Sequence, residues 1–399
     1  MYTGPMMNLR RLKKPLLFSI GICIISLLIS GTAFNRYSAD LSMVTYIKDI
    51  IHTDYVEKDV DNQQLIYGAI HGMLAALDDP YTRFMEPKNY KEMKVRLAGE
   101  FSGIGIYIGL RDDQLTVISP IFGTPAYQAG LKAMDKILTI DGEETKGLGL
   151  SEAVSKIRGP KGEAVKLGIL SLDDADSRIV SIVRDKIKIS PIEKSEVFND
   201  RIGYIKLSTF ENENATSEFR TELEKLESKR IDSLVLDLRD NGGGLLSNAI
   251  DIASLIMSDG DVVHTINREG AKQTRSVSRR AVFSKPIAVL INQGSASASE
   301  ILAGAIKDNN RGIIVGYDSF GKASVQNVLP LKDGSAVLYT VAKYLTPNGV
   351  DITKMGITPN VKVKVSTENL KLYYDPASYT YQSDEQLQKA ISILSSDSQ

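Results

Sequence analysis

Residues 292–300 read NQGSASASE and place several small hydroxyl side chains at one corner of the chain. The corner lies where a strand-like segment, PIAVLI, gives way to a helix-like segment, ILAGAI. A serine hydroxyl is a weak nucleophile unless a neighbouring group takes its proton. Hydrolytic chemistry here therefore requires a base within reach of one of these serines.

The candidate base is a lysine rather than a histidine, because His264 falls in a different strand–helix unit. A lysine can act as a base only if it is neutral, which costs about 4 to 5 kcal/mol at pH 7 from a reference pKa near 10.4. Burial in an apolar cleft supplies such a shift. Lys322, in SFGKASVQNV, follows a glycine and lies among small residues, and Gln326 is placed to orient it. Since most lysines are solvated surface groups, this pattern alone does not identify Lys322 as the base.

A glycine-rich segment, LDLRDNGGGLL, is the candidate oxyanion site. Gly242, Gly243 and Gly244 lie between a strand that ends at Leu238 and a helix, so their backbone N–H groups can point at an anion. Losing one oxyanion donor costs roughly 2.7 to 4 kcal/mol of transition-state stabilisation. A plain strand-to-helix turn explains the glycines as well. A nucleotide phosphate loop does not, because no Lys-Ser/Thr pair follows them.

Regions of different character must position these residues. Residues 36–96 show a helical repeat of apolar side chains that stops near Pro80, which predicts a helical N-terminal region. Residues 97–188 contain short strand segments around one or two helices and predict a compact β-rich module. Residues 189–366 alternate strands with helices, which predicts a largely parallel α/β sheet. Residues 367–399 add a last helix and a polar tail.

Residues 1–35 predict a signal peptide or a membrane anchor. Basic residues at positions 10, 11, 13 and 14 precede residues 15–35, a charge-free run close to the ~20 apolar residues that span a bilayer. Cleavage and retention in the inner membrane both stay open, and either one predicts an exported, periplasmic or extracytoplasmic protein. The net charge of −1 argues against a nucleic-acid partner.

Several motifs together resemble the carboxyl-terminal processing proteases, also called tail-specific proteases. In the family's order they read GMLAALDDPYTRF, LVLDLRDNGGGLL, GSASASEILAGAIKDNNR, FGKASVQ and LTPNGVDITKMGITPN, and the likeness covers roughly residues 40 to 395. The resemblance implies a multidomain α/β fold, with a PDZ domain at 97–188 and a β-α repeat protease domain of the crotonase or Clp-protease type at 189–366. It implies a serine endopeptidase that processes or degrades exported proteins.

The resemblance also assigns roles to the candidate residues. Ser297 would be the nucleophile, Lys322 the general base, and Gln326 the residue that orients the lysine. The backbone N–H groups of Gly243 and Ala298 would form the oxyanion hole.

The neighbouring serines would then be scaffold. Ser295 and Ser299 are small enough to let the chain turn tightly, and Ser299 or Glu300 would cap the following helix. The family usually has glycine directly after the lysine, where this chain has Ala323. The replacement matters only if that position needs a positive φ.

GEFSGIGIYIGL resembles the carboxylate-binding loop and following strand of a PDZ domain. The edge of such a strand pairs with an incoming peptide, and a helix at residues 150–157 would form the other wall of the groove. Arg158, in KIRGPKGE, would relay peptide occupancy to the protease or form a solvated turn. Met134 stands where the family usually has glycine. The residues expected to hold the terminal carboxylate are Gly103, Ile104, Gly105 and Ile106.

Two other functions stay open beside the protease. The chain could be a PDZ scaffold that binds C-terminal peptides while its protease domain is inactive or held off, with Ala323 as the one hint. A crotonase-like acyl-transfer enzyme fits the β-α order, but nothing in the sequence indicates a coenzyme A site. No metal is implied, since the sequence has no Cys/His cluster for zinc, and no organic cofactor is implied either. The expected partners are protein substrates, an adaptor protein and further copies of the chain, with the membrane as another if residues 15–35 are retained.

Overall fold

The computed structural model describes residues 42–111, 114–121, 123–171, 175–278, 281–366 and 380–396. The signal peptide or anchor predicted at residues 15–35 lies outside the described residues. By their contacts the described residues divide into two compact units, one that ends at Phe84 and one that begins at Met85. Over the described ranges, no helix combines the length and the apolar character that a membrane span needs.

The helices within the described residues are α1 (residues 42–54), α2 (Asn62–Ala75), α3 (Pro87–Ala98), α4 (Pro125–Gln128), α5 (Leu150–Ile157), α6 (Ala215–Ser228), α7 (Leu246–Ile256), α8 (Ala298–Asp308) and α9 (Glu385–Ser396). The strands are β1 (Arg83–Met85), β2 (Glu100–Gly103), β3 (Ile106–Arg111), β4 (Gln114–Pro120), β5 (Lys136–Ile140), β6 (Glu143–Glu144), β7 (Ala164–Leu170), β8 (Arg178–Val183), β9 (Asp185–Lys188), β10 (Ile192–Phe198), β11 (Ile202–Leu207), β12 (Ser233–Asp237), β13 (Asp261–Asn267), β14 (Lys272–Ser276), β15 (Ile287–Ile291), β16 (Ile313–Gly316), β17 (Ser324–Pro330), β18 (Ala336–Leu345) and β19 (Val361–Lys362).

The first unit contains the helical region that the apolar repeat predicted. Leu65, Ile70 and Leu74 lie on α2, where each is only half-buried. The ring of His71 packs edge-on against that of Phe84 with 5.4 Å between the ring centroids. This histidine therefore has a packing role.

The β-rich module forms a small antiparallel sheet. Its strands lie in the order β3-β4-β5-β7-β8, and β6 pairs with β5. Side chains that point inward from this sheet, such as Val117, Ile137 and Leu167, pack with Ala126 of α4 and Ala153 of α5 in one buried core. Strand β3 forms one edge of the sheet, which is the edge that the sequence predicts for peptide binding.

A larger sheet carries the strand–helix alternation. Its order is β10-β11-β12-β15-β16-β19, with β10 antiparallel and the remaining pairs parallel. Every residue of β12 and β15 is buried, because helices cover both faces of a parallel sheet. The predicted, largely parallel sheet is confirmed.

Alternation along the central strands divides the core between the two faces. Leu234 and Leu236 of β12 pack with α6, α7 and α8 on one face. Val235, between them, packs with Leu387 and Leu394 of α9 on the other. The C-terminal helix α9 therefore packs against the face of the central strands that is opposite to α6, α7 and α8.

A second, antiparallel sheet carries the chain after Lys322. Strand β17 pairs with β18, β18 pairs with β13, and β13 pairs with β14. The β17–β18 pair is the one that VQNVLPL and AVLYTVAKYLT predicted.

Candidate active site

The predicted site residues meet because they follow neighbouring parallel strands. β12 leads into the glycine-rich segment, β15 leads into the serine corner, and β16 leads towards Lys322. β15 pairs in parallel with both β12 and β16. Loops after the carboxyl ends of adjacent parallel strands lie side by side at one edge of a sheet. The strand order therefore gathers three separate sequence motifs at one place.

Ser297 occupies the N-cap position of α8 in a strained backbone conformation. Its φ is 55° and its ψ is −114°, a region that favours glycine. Holding a non-glycine residue there costs of order 1–3 kcal/mol, and such strain clusters at active sites. Ser297 is half-buried, whereas its neighbours Ser295 and Ser299 are fully buried.

The strain at Ser297 predicts an order of stability among inactive variants. The free energy of unfolding of Ser297→Gly should be about 1 kcal/mol higher than that of Ser297→Ala, because the strain that glycine relieves at a positive φ exceeds the conformational entropy that glycine loses on folding. Urea denaturation of the two variants measures this difference. Ala298→Gly is the control, since Ala298 begins a regular helix and glycine should destabilise there. A Ser297→Gly variant less stable than Ser297→Ala would show that the backbone is not strained.

Ser295 and Ser299 tie the serine corner to the glycine-rich segment, as the scaffold role predicts. The Ser295 hydroxyl donates to the Leu238 carbonyl at 2.8 Å, and the Ser299 hydroxyl donates to the Asn241 carbonyl at 2.8 Å. Both serines are fully buried. Ser299 thus does not cap α8; Glu300 does, because its carboxylate accepts from the Ser297 N–H at 2.8 Å.

Gly243 lies directly against Ser297 and Ala298. Its φ is 94°, and a Cβ placed on it would lie 2.8 Å from both the Ser297 Cβ and the Ala298 nitrogen. Only glycine fits so close an approach. The structure therefore brings the two predicted oxyanion donors together beside the predicted nucleophile.

The Gly243 N–H is occupied in this conformation. It donates to Asn241 Oδ1 at 2.9 Å, while Asn241 Nδ2 donates to the Leu207 carbonyl at 2.7 Å. Asn241 is fully buried, so its carboxamide is held in one orientation. For the Gly243 N–H to receive an oxyanion, the peptide unit before it must turn away from Asn241. Asn241 was not among the predicted site residues, although an asparagine two residues before a glycine is typical of a turn closed by the asparagine side chain.

Glu300 joins the segment of Ser297 to the segment of Lys322. Its Oε2 accepts from both the Ser297 N–H at 2.8 Å and the Lys322 N–H at 2.9 Å. Its Oε1 accepts from the Ser319 hydroxyl and the Gly321 N–H, each at 2.6 Å. The residue is 1% exposed. A single buried carboxylate therefore fixes the backbone of both predicted catalytic residues, whereas its spacing in the sequence predicted only helix capping.

Lys322 and Gln326 lie where β17 begins. Lys322 is half-buried, and its carbonyl accepts a hydrogen bond from the Tyr344 hydroxyl. Gln326 is half-buried on β17, and its Nε2 donates to the Ser324 hydroxyl at 2.7 Å. Ala323 is buried and does not have a positive φ, so alanine replaces the usual glycine there without backbone strain.

A buried charge cluster anchors the start of the glycine-rich segment to the C-terminal helix. The Arg239 guanidinium donates to Asp237 at 2.5–3.0 Å and to Asp384 at 2.8 and 2.9 Å. Burial lowers the pKa of Arg239, but the Asp237 and Asp384 carboxylates more than offset this and raise its pKa well above the usual value. The guanidinium therefore stays charged, and residues 145 apart in sequence are held in one bidentate pair.

Two carbonyls of the predicted peptide-binding loop accept hydrogen bonds from the chain around Ile121 and Ala126. The Ile104 carbonyl accepts from the Ala126 N–H at 2.8 Å, and the Gly105 carbonyl accepts from the Ile121 N–H at 2.9 Å. In a trans peptide the following N–H points the opposite way. The N–H groups of Gly105 and Ile106 therefore point away from the segment at Ile121 and Ala126.

Arg158 lies beside this loop in a packed position. Its guanidinium stacks on the Phe101 ring, 4.8 Å from the centroid, and its side chain lies near Gly103. Phe101 and Arg158 line a cavity of about 440 Å³ between α3, β2 and α5.

Met134 has a φ of 71°, so methionine adopts the left-handed conformation that the usual glycine would favour.

Comparisons with known proteins agree with this arrangement. Residues 201–363 match Peptidase family S41, residues 93–170 match the PDZ domain, and residues 28–89 match the Activating protease CtpB N-terminal domain.

Curated proteins show the same similarity along most of the chain. A Carboxyl-terminal-processing protease of Synechocystis sp. is 40% identical over 84% of this chain and 79% of that protein. The Carboxy-terminal processing protease CtpA of Bacillus subtilis is 36% identical over 84% of this chain and 71% of that protein. Among solved structures, a putative S41 protease from Bacteroides fragilis has a TM-score of 0.52 and 16% identity, covering 88% of this chain and 97% of that one, which shows a shared fold.

Proposed function

This chain belongs to peptidase family S41 as a C-terminal processing serine endopeptidase with a PDZ domain, and we propose that Ser297 and Lys322 are its catalytic dyad. The observation that carries this assignment is Glu300, whose buried Oε2 accepts the backbone N–H of both residues. One carboxylate thereby holds the nucleophile and the base in a fixed relation. Ala323 no longer favours an inactive scaffold, because its backbone is unstrained there.

In the proposed reaction the Ser297 Oγ attacks the scissile carbonyl carbon while the Lys322 amine takes the hydroxyl proton. The N–H groups of Gly243 and Ala298 bind the oxygen on which negative charge develops, once the Gly243 N–H no longer donates to Asn241 Oδ1. Lys322 then gives the proton to the leaving amine, and the C–N bond breaks to leave an acyl-enzyme. Water attacks the ester with Lys322 again as base, which frees Ser297 and the new carboxyl end. Gln326 orients the lysine.

The PDZ domain binds protein C-termini, and we place the terminal carboxylate at the loop from Gly103 to Ile106. The outward N–H groups of Gly105 and Ile106 can hold a carboxylate, and the edge of β3 can pair with the peptide. This arrangement supports substrates that are recognised by a free C-terminus.

We further propose that the substrates are exported proteins met outside the cytoplasm. The support is the basic cluster at positions 10–14 and the charge-free run at 15–35. The same reasoning places the protein in the periplasm or another extracytoplasmic compartment, with a membrane tether if the run is retained. Assembly with further copies or with an adaptor protein belongs to this proposal as well.

A matched pair of peptides tests both halves of the function. The two share one sequence with an apolar end and differ only in a free or an amidated C-terminus. We expect cleavage of both, with kcat/KM about 10- to 100-fold lower for the amide, since a hydrogen bond to a charged group contributes about 1.5–3 kcal/mol. Peptide mass spectrometry measures cleavage, and fluorescence anisotropy measures binding.

A short acyl ester that is too small to reach the PDZ domain is the control for the active site alone, since its hydrolysis needs no recognition of a terminal carboxylate. Binding of the free-acid peptide without cleavage would instead indicate a PDZ scaffold with an inactive protease domain. Equal cleavage of acid and amide would remove carboxylate recognition from the mechanism.

A further inference from the structure

Two large apolar side chains remain exposed beside the segment of the predicted catalytic lysine. Phe320, two residues before Lys322, is 55% exposed, and Met355 is 65% exposed. Removing such side chains from water is favourable, so exposed neighbours of a catalytic group are candidates for ligand contact. We call Phe320 and Met355 the apolar shelf.

The two segments that carry the shelf are held together by close backbone contacts. The Lys354 N–H donates to the Gly321 carbonyl at 2.9 Å, and the Ile357 N–H donates to the Ser319 hydroxyl at 2.6 Å. A Cβ on Gly321 would lie 2.8 Å from the Lys354 backbone. The residues on either side of Met355 are therefore fixed against those on either side of Phe320.

The same segments are fixed to the catalytic corner. The Phe320 N–H donates to the Ser295 carbonyl at 3.0 Å. The Ser319 hydroxyl, which accepts from Ile357, donates to Glu300, the residue that binds the Ser297 and Lys322 amides. The shelf thus has a defined place relative to the nucleophile and the base, and a substrate-contacting surface needs such rigid support.

We propose that Phe320 and Met355 form the subsite for an apolar side chain of the substrate residue next to the scissile bond. The proposal rests on the proposed function, since it needs Ser297 and Lys322 to cleave a peptide. The occupant is a substrate side chain, because the segment of Phe320 is bonded to Ser295 beside the nucleophile and, through Ser319 and Glu300, to the Lys322 amide. The shelf therefore determines specificity, and the dyad performs the chemistry.

The test compares Phe320→Ala and Met355→Ala with the wild-type protein on peptides that carry leucine or alanine at each position flanking the scissile bond. At one of these positions the wild type should prefer leucine. Each variant should raise KM for the leucine peptide about 10-fold, with kcat and the alanine peptide changed by less than about 2-fold, as expected for lost contacts in an apolar pocket. Leu329→Ala, which removes a side chain 49% exposed on β17, is the matched control and should leave the preference intact.

Unchanged leucine preference in both shelf variants would overturn the proposal. So would an equal loss on the leucine and alanine peptides, because that result assigns the residues to the chemistry or to folding rather than to a subsite. Turnover of the same peptides by the wild type reports separately on the proposed function, so the two can fail independently.

Discussion

Replacing Lys322 with alanine should lower kcat for peptide hydrolysis by on the order of 10⁴- to 10⁶-fold, because removing one member of a catalytic unit abolishes nearly all of the catalysis that the unit provides. Ser297→Ala should cause a loss of the same size, and the double variant should lose little more. Both residues are half-buried, so neither change removes a large part of the core. Single-turnover cleavage and circular dichroism on the same samples measure the loss and the retained fold.

Lys322→Arg separates a proton-transfer role from a purely electrostatic one. Arginine keeps the positive charge but cannot be deprotonated in a protein, so it cannot take the Ser297 proton. We expect the arginine variant to be as inactive as the alanine variant. Lys343→Arg, on an exposed position of β18, is the control and should keep wild-type turnover. Substantial activity in Lys322→Arg would show that a fixed charge suffices and would remove Lys322 as the general base.

The elements that position the site could be predicted from sequence because they depend on local patterns. The segment ATSEFRTELEKLES predicted a helix that the structure shows as α6, Ala215–Ser228. The runs DSLVLDL and PIAVLIN predicted buried strands, and every residue of β12 and β15 is buried. A repeat of apolar residues reports burial directly, so such elements follow from the residues themselves.

The contacts that complete the site could not be predicted in this way, because each depends on a residue far away in sequence. Glu300 is a helix-capping residue by its spacing, and nothing local shows that it also binds Ser319 and Gly321. The pair of Arg239 and Asp384 joins residues 145 apart. The positive φ of Ser297 is likewise invisible, because serine normally avoids that conformation.

The occupied Gly243 N–H also depends on tertiary structure and changes how the site must work. Its acceptor, Asn241, is held by Leu207 and by the serine corner. Because Asn241 itself is fixed, the adjustment has to come from the glycines that follow it. Gly242 is exposed, and an added Cβ there would meet no atom within 4 Å, so nothing packs against that side of its backbone. The run of glycines thus supplies both the close approach at Gly243 and the freedom to expose its donor.

Glu300→Gln should lower kcat about 100-fold with KM nearly unchanged, because misplacing a catalytic group by about 1 Å costs rate on that scale. Glutamine offers one oxygen and one NH₂ group, so two of the donors that now reach the carboxylate would face another donor. Each lost bond to a buried charge costs about 1.5–3 kcal/mol, so the free energy of unfolding should also fall by about 3 kcal/mol or more. Steady-state kinetics on a peptide substrate and urea denaturation measure the two effects.

Glu227→Gln is the matched control, because Glu227 accepts from Lys285 at 3.0 Å in a partly exposed ion pair remote from Glu300 in sequence. That variant should lose at most about 1 kcal/mol of stability and no activity. A Glu300→Gln protein that folds and keeps wild-type kcat would show that the carboxylate only supports the fold. A rise in KM at constant kcat would instead place Glu300 in substrate binding. A fall in kcat at unchanged KM is the result expected if one buried carboxylate aligns the nucleophile with its base.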